Sequence, residues 1–385
     1  MTTTILMIAM QDSVLTFESS KNGWKKTYES LKGTHPQCIA FDPSNTNRVY
    51  CGTFGNGLWK TDDGGQTWDS IVGKDSRSSS GSSNSGGIIP SNNVMSVSVS
   101  HRERGIKNRF NTVYVGTEPT ALYRSDDGGE SWQRMDALND LKSSTSWSFP
   151  PRPWTSHIRW IEPDKTNAGY VYVAIEAGAL IQSHDGGRSW IDRVDGGPYD
   201  THTLATHENM PGMLYSAAGD GYFESYDYGQ SWNRHTTAAV FRHHGYLYGL
   251  AVDAGDPQTI IVSASQWPRQ AHFLEAAESV IYRRTTLSSV KENIDGDGDD
   301  DDVNRQDWKL VTNGLPKPTG TLISILAANP KIAGEFYAVN NRGIFCSTDS
   351  GNSWKTLEDS NNSIQWPKEY LLQHPRALAV QEEEG

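Results

Sequence analysis

Apolar residues along this chain come in short alternating bursts, each closed off by Gly, Asn, Asp or Pro. In residues 37–73 the bursts CIAFDP, RVYCGT, GLWKT and the segment from Trp68 read as four successive strands. The pattern returns in residues 157–194 as HIRWIEPD, GYVYVAIEAG, ALIQSHDGG and SWIDRV. Four short strands per unit of about 40 residues is the grammar of a propeller blade. Such units fall at 36–73, 94–137, 157–195, 201–236, 246–312 and 321–358. At the N-terminal end TILMIAM, VLTFESS and WKKTYES supply the second, third and outer strands of a further blade but no inner one. RALAV, residues 376–380, has the inner-strand pattern and no other partner. The expectation is an all-β fold: one seven-bladed β-propeller domain over residues 1–385, its ring closed by a C-terminal strand completing the N-terminal blade. Closure of this kind removes open sheet edges.

One motif punctuates the pattern. Thr61–Trp68, Ser125–Trp132, Ser183–Trp190, Ser225–Trp232 and Ser347–Trp354 all fit S/T-x-D-x-G-x-S/T-W. Its aspartate can accept hydrogen bonds from its own turn, and its glycine can adopt a backbone conformation closed to other residues. Its tryptophan opens the next strand and buries its ring between repeats. Folding explains every part of the motif, so these aspartates are read as structural. Blade 246–312 lacks it and keeps SVIYRR and Trp308.

Composition narrows the possibilities. A formal charge of −12 argues against nucleic-acid binding, which needs a basic face. Cys38, Cys51 and Cys346 are too few for a disulfide framework. Cys38 and Cys51 could pair across strands, but core thiols are the simpler reading. The N-terminal apolar run lacks a basic flank and a small-residue cleavage site, so it reads as a strand rather than a signal peptide. No stretch suits a membrane span. The expected setting is cytoplasmic. Residues 74–91 read as a flexible insertion. Residues 291–304 place Asp295, Asp297 and Asp299 at alternate positions, but lack the distal glutamate of an EF-hand. A solvated acidic loop is the plainer reading there.

In such a ring the inner-strand starts and the turns between second and third strands surround one mouth of the channel. Histidines recur at inner-strand starts: His35, His157, His202, His243–His244 and His374. Alignment of the blades puts His157, His202, Arg159 and Arg376 near the channel and His207 at the opposite end. The turns add Glu118, Glu176, Asp220, Gln266, Asn340 and Arg342. Imidazoles and carboxylates around one cavity suit acid–base chemistry or a divalent metal. Glu118, Glu176, Asp220, Arg159 and Arg376 are the catalytic candidates; His157, His202, His243 and Glu176 are the metal ligands expected. Trp147, Trp154, Trp267 and Trp366 fall in loops reaching the same face. Of these, Trp147, Trp154 and Trp267, with Tyr248, are the candidate platforms for a small-molecule or glycan ligand. Segments 138–156 and 266–279 are expected to wall the pocket.

The five motifs resemble those of the Asp-box, or BNR-repeat, propellers, a group that includes sialidases, xyloglucan-active glycoside hydrolases, sortilin-type receptors and photosystem-assembly propellers. The resemblance implies the fold and leaves function to the site. Sialidases of this group use three arginines, a tyrosine–glutamate pair and an acid aspartate, and carry an Arg-Ile-Pro signature that is missing here. Xyloglucan-active relatives place a cleft between two propellers, whereas this chain has residues for one. The receptors are disulfide-rich, and the assembly factors are single propellers of this size. Three functions follow as expectations: a hydrolase or lyase at the channel mouth, with or without a divalent metal; a ligand-binding propeller without chemistry; and an assembly scaffold with a protein partner.

Overall fold

The computed structural model describes residues 2–71, 88–105, 109–235, 241–284, 308–358, 364 and 366–383. Both the bulk of the insertion at 74–91 and the acidic stretch 291–304 lie outside the described residues. The alternating bursts form seven antiparallel sheets in which strands follow one another from channel to rim. Blade 1 orders Ala377–Glu383, Thr3–Ala9, Val14–Ser20 and Gly23–Ser30, with Leu6 facing Val380 and Ile8 facing Leu378. The C-terminal strand therefore closes the ring, as its sequence predicted. Blades 2, 3 and 4 have inner strands at Pro36–Asp42, Val94–Arg104 and Ile158–Pro163. Those of blades 5, 6 and 7 lie at Thr201–Thr206, Tyr246–Val252 and Ile325–Ala328. Each inner strand touches the next around the ring, and Ala377–Glu383 touches those of blades 7 and 2. Blade 4 departs from expectation: its sheet has three strands, and the predicted outer strand is reduced to one bridge between Gln182 and Ile191. No helix among the described residues is long and apolar enough to cross a membrane.

The core lies between blades. A tyrosine in the second strand recurs as Tyr50, Tyr114, Tyr172, Tyr215 and Tyr337, each essentially fully buried. Each contributes on the order of 2–3 kcal/mol of apolar burial. Blade 6 replaces the lost motif with aromatic packing: Trp308 stands edge-on to Tyr222 at 5.0 Å and packs on Phe241. The three cysteines are free thiols, and burial pushes Cys38 up to about 12.

The repeated turns form as their chemistry requires. In the first, the Asp63 carboxylate accepts the Thr67 amide at 2.9 Å and the Thr67 hydroxyl at 2.6 Å. Thr61 donates its hydroxyl to Asp63 and accepts the Gly65 amide at 3.0 Å. Gly65 sits at φ +95°, and a Cβ there would lie 2.9 Å from Met7 Cε of the preceding blade. Glycine is needed for both reasons.

Five inner strands share a second device. A register irregularity occurs at Gln37, Met95, Arg159, His202 and Tyr248–Gly249, always near the start of the strand. A bulge adds a residue to one strand and re-aims its side chain. All five of Gln37, Met95, Arg159, His202 and Tyr248 line the same cavity.

Candidate functional site

The cavity occupies one mouth of the channel and measures about 640 Å³. The long segments 138–156 and 266–279 do wall it, through Phe149–Arg152 on one side and Pro268, His272 and Phe273 on the other.

His157 is buried beside it, between two carboxylates. Its Nε2 lies 2.7 Å from Glu176 Oε2 and its Nδ1 lies 3.2 Å from Glu118 Oε2. The Glu176 contact is a hydrogen bond and the Glu118 contact an ion pair without hydrogen-bond alignment, and an imidazolium suits both. Burial disfavours that charge, but the contacts with Glu118 and Glu176 outweigh it and raise the His157 pKa. The same contacts act in reverse on Glu176. Burial alone would raise it, and His157 together with Arg159 brings it down to about 2. Glu118 is lowered in the same way by His157 and by Arg152, which grips it with two bonds of 3.0 and 2.6 Å. Arg159 donates to the Tyr248 hydroxyl at 2.7 Å and lies 3.9 Å from Glu176.

Asp200 behaves oppositely. It accepts the Ala177 amide at 2.8 Å, and burial raises its pKa despite the neighbouring His202. Glu176, Asp200 and His202 present one ligand atom each, all within 4.8 Å of one another. Behind them runs a chain of polar rings. Tyr246 OH lies 3.3 Å from His202 Nε2 and 2.9 Å from His272 Nε2, and His272 Nδ1 lies 3.0 Å from His374 Nε2. Burial, aided by Arg376, holds His374 down at about 3; burial and His374 hold His272 well below its ordinary value.

Several expected residues are placed here and others are not. Glu176, Arg159, Arg376, Tyr248, His157 and His202 line the cavity, with Glu118 behind His157. Asp220 faces away: its carboxylate accepts the backbone N–H groups of Tyr199 and Asp200 and pins that loop. His243 is exposed on a separate turn, its ring against His244, so it does not join the metal set. Nor does His157, because both its nitrogens face carboxylates. Trp147 is half-buried and donates to Ser143 Oγ at 3.0 Å. Trp154 and Trp267 are 80% and 63% exposed and stand outside the cavity wall.

Sequence reasoning passed over Asp200, Tyr246 and His272. Asp200 stands two residues before His202, but it precedes the strand Thr201–Thr206 and the bulge at His202 breaks the alternation between them. His272 lies in a short helix, Pro268–His272, inside a long strand connection, where no periodicity marks it.

No family model matches the chain. Over 300 residues it is 26% identical to the xyloglucanase Xgh74A of Acetivibrio thermocellus, a match covering 67% of this chain and 32% of that protein. It is also 26% identical over 244 residues to a xyloglucanase of a Paenibacillus species, covering 60% of this chain and 18% of the other. The chain thus spans a third or less of the length of these curated relatives. Among solved structures, an ancestral GH74 enzyme superposes with a TM-score of 0.57 at 17% identity, over 84% of this chain and 38% of that one. YCF48 from Cyanidioschyzon merolae gives 0.51 at 13% identity over 84% and 85% of the two chains. YCF48 bound to D1 peptide gives 0.52 at 18% identity over 87% and 82%. Likeness at these identities establishes the propeller fold.

Proposed function

We propose that the channel mouth is the active site of a hydrolase or lyase that cleaves a polar, hydroxyl-rich substrate of the glycan class. One observation carries this reading. Neighbouring carboxyls on one cavity wall are driven apart, Glu176 down to about 2 and Asp200 upward, beside an imidazolium whose own pKa is raised. Environments that separate the proton affinities of adjacent groups mark acid and base assignments. His157 holds Glu176 ionised and in place, with Glu118 and Arg152 positioning it. The Glu176–Asp200 edge is the reacting side, with Glu176 the ionised carboxylate and Asp200 the more readily protonated one, and Arg159, Tyr248 and Arg376 contact the substrate. Similarity to two xyloglucanases supports the glycan class. The bonding of the five turns supports assignment to the Asp-box group.

The test is incubation of the purified protein with neutral and uronate-containing polysaccharides, reading reducing ends and the ultraviolet absorbance of unsaturated products. Turnover should fall about 10²–10⁴-fold in Glu176→Gln and in His157→Gln. Turnover that survives both substitutions would refute the assignment, and absence of cleavage across the panel would leave the cavity a binding site.

A second reading has support of its own. The YCF48 structures match this chain over most of their length, and one of them holds a peptide. Trp154, Trp267 and Leu372, at 80%, 63% and 70% exposure, offer apolar side chains for a protein partner. Capture of a partner that is lost in a Trp154→Ala/Trp267→Ala variant, with no polysaccharide cleaved, would favour it.

A further inference from the structure

With its imidazoles neutral, the ring chain behind the mouth admits one arrangement of protons, and that arrangement leaves a lone pair aimed at two carboxylates. His374 Nδ1 faces the carbonyl oxygen of Pro375, so it must carry the hydrogen. In a neutral ring Nε2 is then an acceptor, and the group opposite it, His272 Nδ1, must be the donor. His272 Nε2 in turn becomes an acceptor and takes the Tyr246 hydroxyl proton. Tyr246 has no second proton to give. On its other side His202 Nδ1 lies 2.6 Å from the Leu247 carbonyl oxygen, which fixes the hydrogen on that nitrogen. His202 Nε2 is therefore a lone pair in the neutral ring. Its neighbours are Tyr246 OH, already committed, and Asp200 Oδ2 at 3.6 Å.

His202 is 1% exposed, so water does not make up the deficit freely. A lone pair facing acceptors in a buried site is unfavourable unless something positive, a proton or a metal ion, stands between them. Glu176 and Asp200 complete such a position with His202, their ligand atoms within 4.8 Å of one another. The backing bond from His202 Nδ1–H to a backbone carbonyl is the arrangement that orients metal-bound imidazoles. A set of two carboxylate oxygens and one imidazole nitrogen suits a divalent ion of the Mn²⁺ or Zn²⁺ kind.

We infer that Glu176, Asp200 and His202 form a binding site for one divalent transition-metal ion, with the Leu247 carbonyl fixing the His202 tautomer and the Tyr246–His272–His374 chain drawing the tyrosine proton away from it. Asp200 takes the place that the sequence suggested for His157, and all three residues line the cavity. The inference deepens the enzymatic reading by naming what the Glu176–Asp200 edge holds, but its test needs no substrate.

Metal-stripped protein would be titrated with Mn²⁺ at neutral pH by calorimetry, with electron paramagnetic resonance counting bound ion. One equivalent per chain is expected. Affinity should fall at least about tenfold in Asp200→Asn and in His202→Gln. Circular dichroism would check that the buried His202→Gln variant is folded, and Asp200→Asn, on a half-buried residue, serves if it is not. An Asp295→Asn/Asp297→Asn/Asp299→Asn variant controls for the acidic stretch and should bind as the parent does. Absence of stoichiometric binding would overturn the inference. So would binding that is untouched by Asp200→Asn or lost in the triple variant. Cleavage without bound metal would sink this site alone; bound metal without cleavage would sink only the enzymatic reading.

Discussion

The rim turns and the channel mouth use the same interaction, a carboxylate receiving several hydrogen bonds, in different ways. At the rim, Asp63, Asp127, Asp185, Asp227 and Asp349 are served by hydroxyls and amides within four residues in sequence. At the mouth, the partners come from afar: Glu176 meets His157 19 residues away, and His272 meets His374 102 residues away. The rim aspartates have their acceptor capacity filled by their own turns, which makes them fixtures of the fold. The mouth groups meet only after the ring is assembled. They retain mismatched protons and lone pairs, and that residue of unmet demand is what chemistry can use.

The largest effect separating the two regions should come from Asp127→Ala. It removes bonds from Ser125 and Ser131 at 2.8 and 2.9 Å and leaves their polar groups short of a partner. The expected loss is about 2–4 kcal/mol in urea unfolding, with ligand or metal binding by the folded protein unchanged. A loss below about 1 kcal/mol would mean that the turn does not hold its blade.

Smaller, but opposite in sign for the two regions, is the response to pH. The His157 pKa is raised above its ordinary 6.5, so its contribution is complete below 6.5 and is lost as pH climbs through the folded value. Asp185 is brought from 3.8 to about 2: burial opposes the shift, and bonds from Ser189 and Ser183 overcome it. Its contribution is complete above 3.8 and is lost as pH falls through about 2. The stability gap between parent and His157→Gln should therefore narrow on the alkaline side. That for Asp185→Asn should narrow on the acid side. Denaturant midpoints across pH would show it, and gaps that narrow on the same side would contradict the contrast.

The smallest expected change sharpens the rim alone. Ser350 holds φ +62°, where three of the other turns have glycine: Gly64, Gly128 and Gly186 at +72°, +76° and +76°. Ser350→Gly should raise stability by about 0.5–1 kcal/mol, the relief of left-handed strain less the added chain entropy. Tyr228 shares the conformation at +61°, but its ring packs edge-on against Tyr170 at 5.5 Å, so Tyr228→Gly should not gain. Thermal melts of the two variants would decide it.

The same contrast explains what the sequence could disclose. Turn chemistry is local, so five rim turns, seven blades and the closing strand were legible from short words such as Ser125–Trp132 and RALAV. Which residues approach the mouth was half legible. Inner-strand starts gave His157, His202 and Arg376, and the turns gave Glu118 and Glu176. Strand alternation then misleads, because bulges at Arg159, His202 and Tyr248 insert a residue just where the chain enters the cavity. Asp220 has the right type and place on the chain, yet backbone amides claim it. No local word separates it from Asp200.

Ring closure also sets an order in time. His374 and Arg376 lie immediately before the strand Ala377–Glu383, which pairs with Thr3–Ala9. A ribosome makes the first of these partners hundreds of residues before the second. Until then Thr3–Ala9 has an unfilled edge, and the cavity lacks Arg376 on its wall and the His374 that orients His272. The mouth is consequently completed only after the other six blades have been made, and chains released before residue 374 lack both the inner strand of blade 1 and two residues of the site.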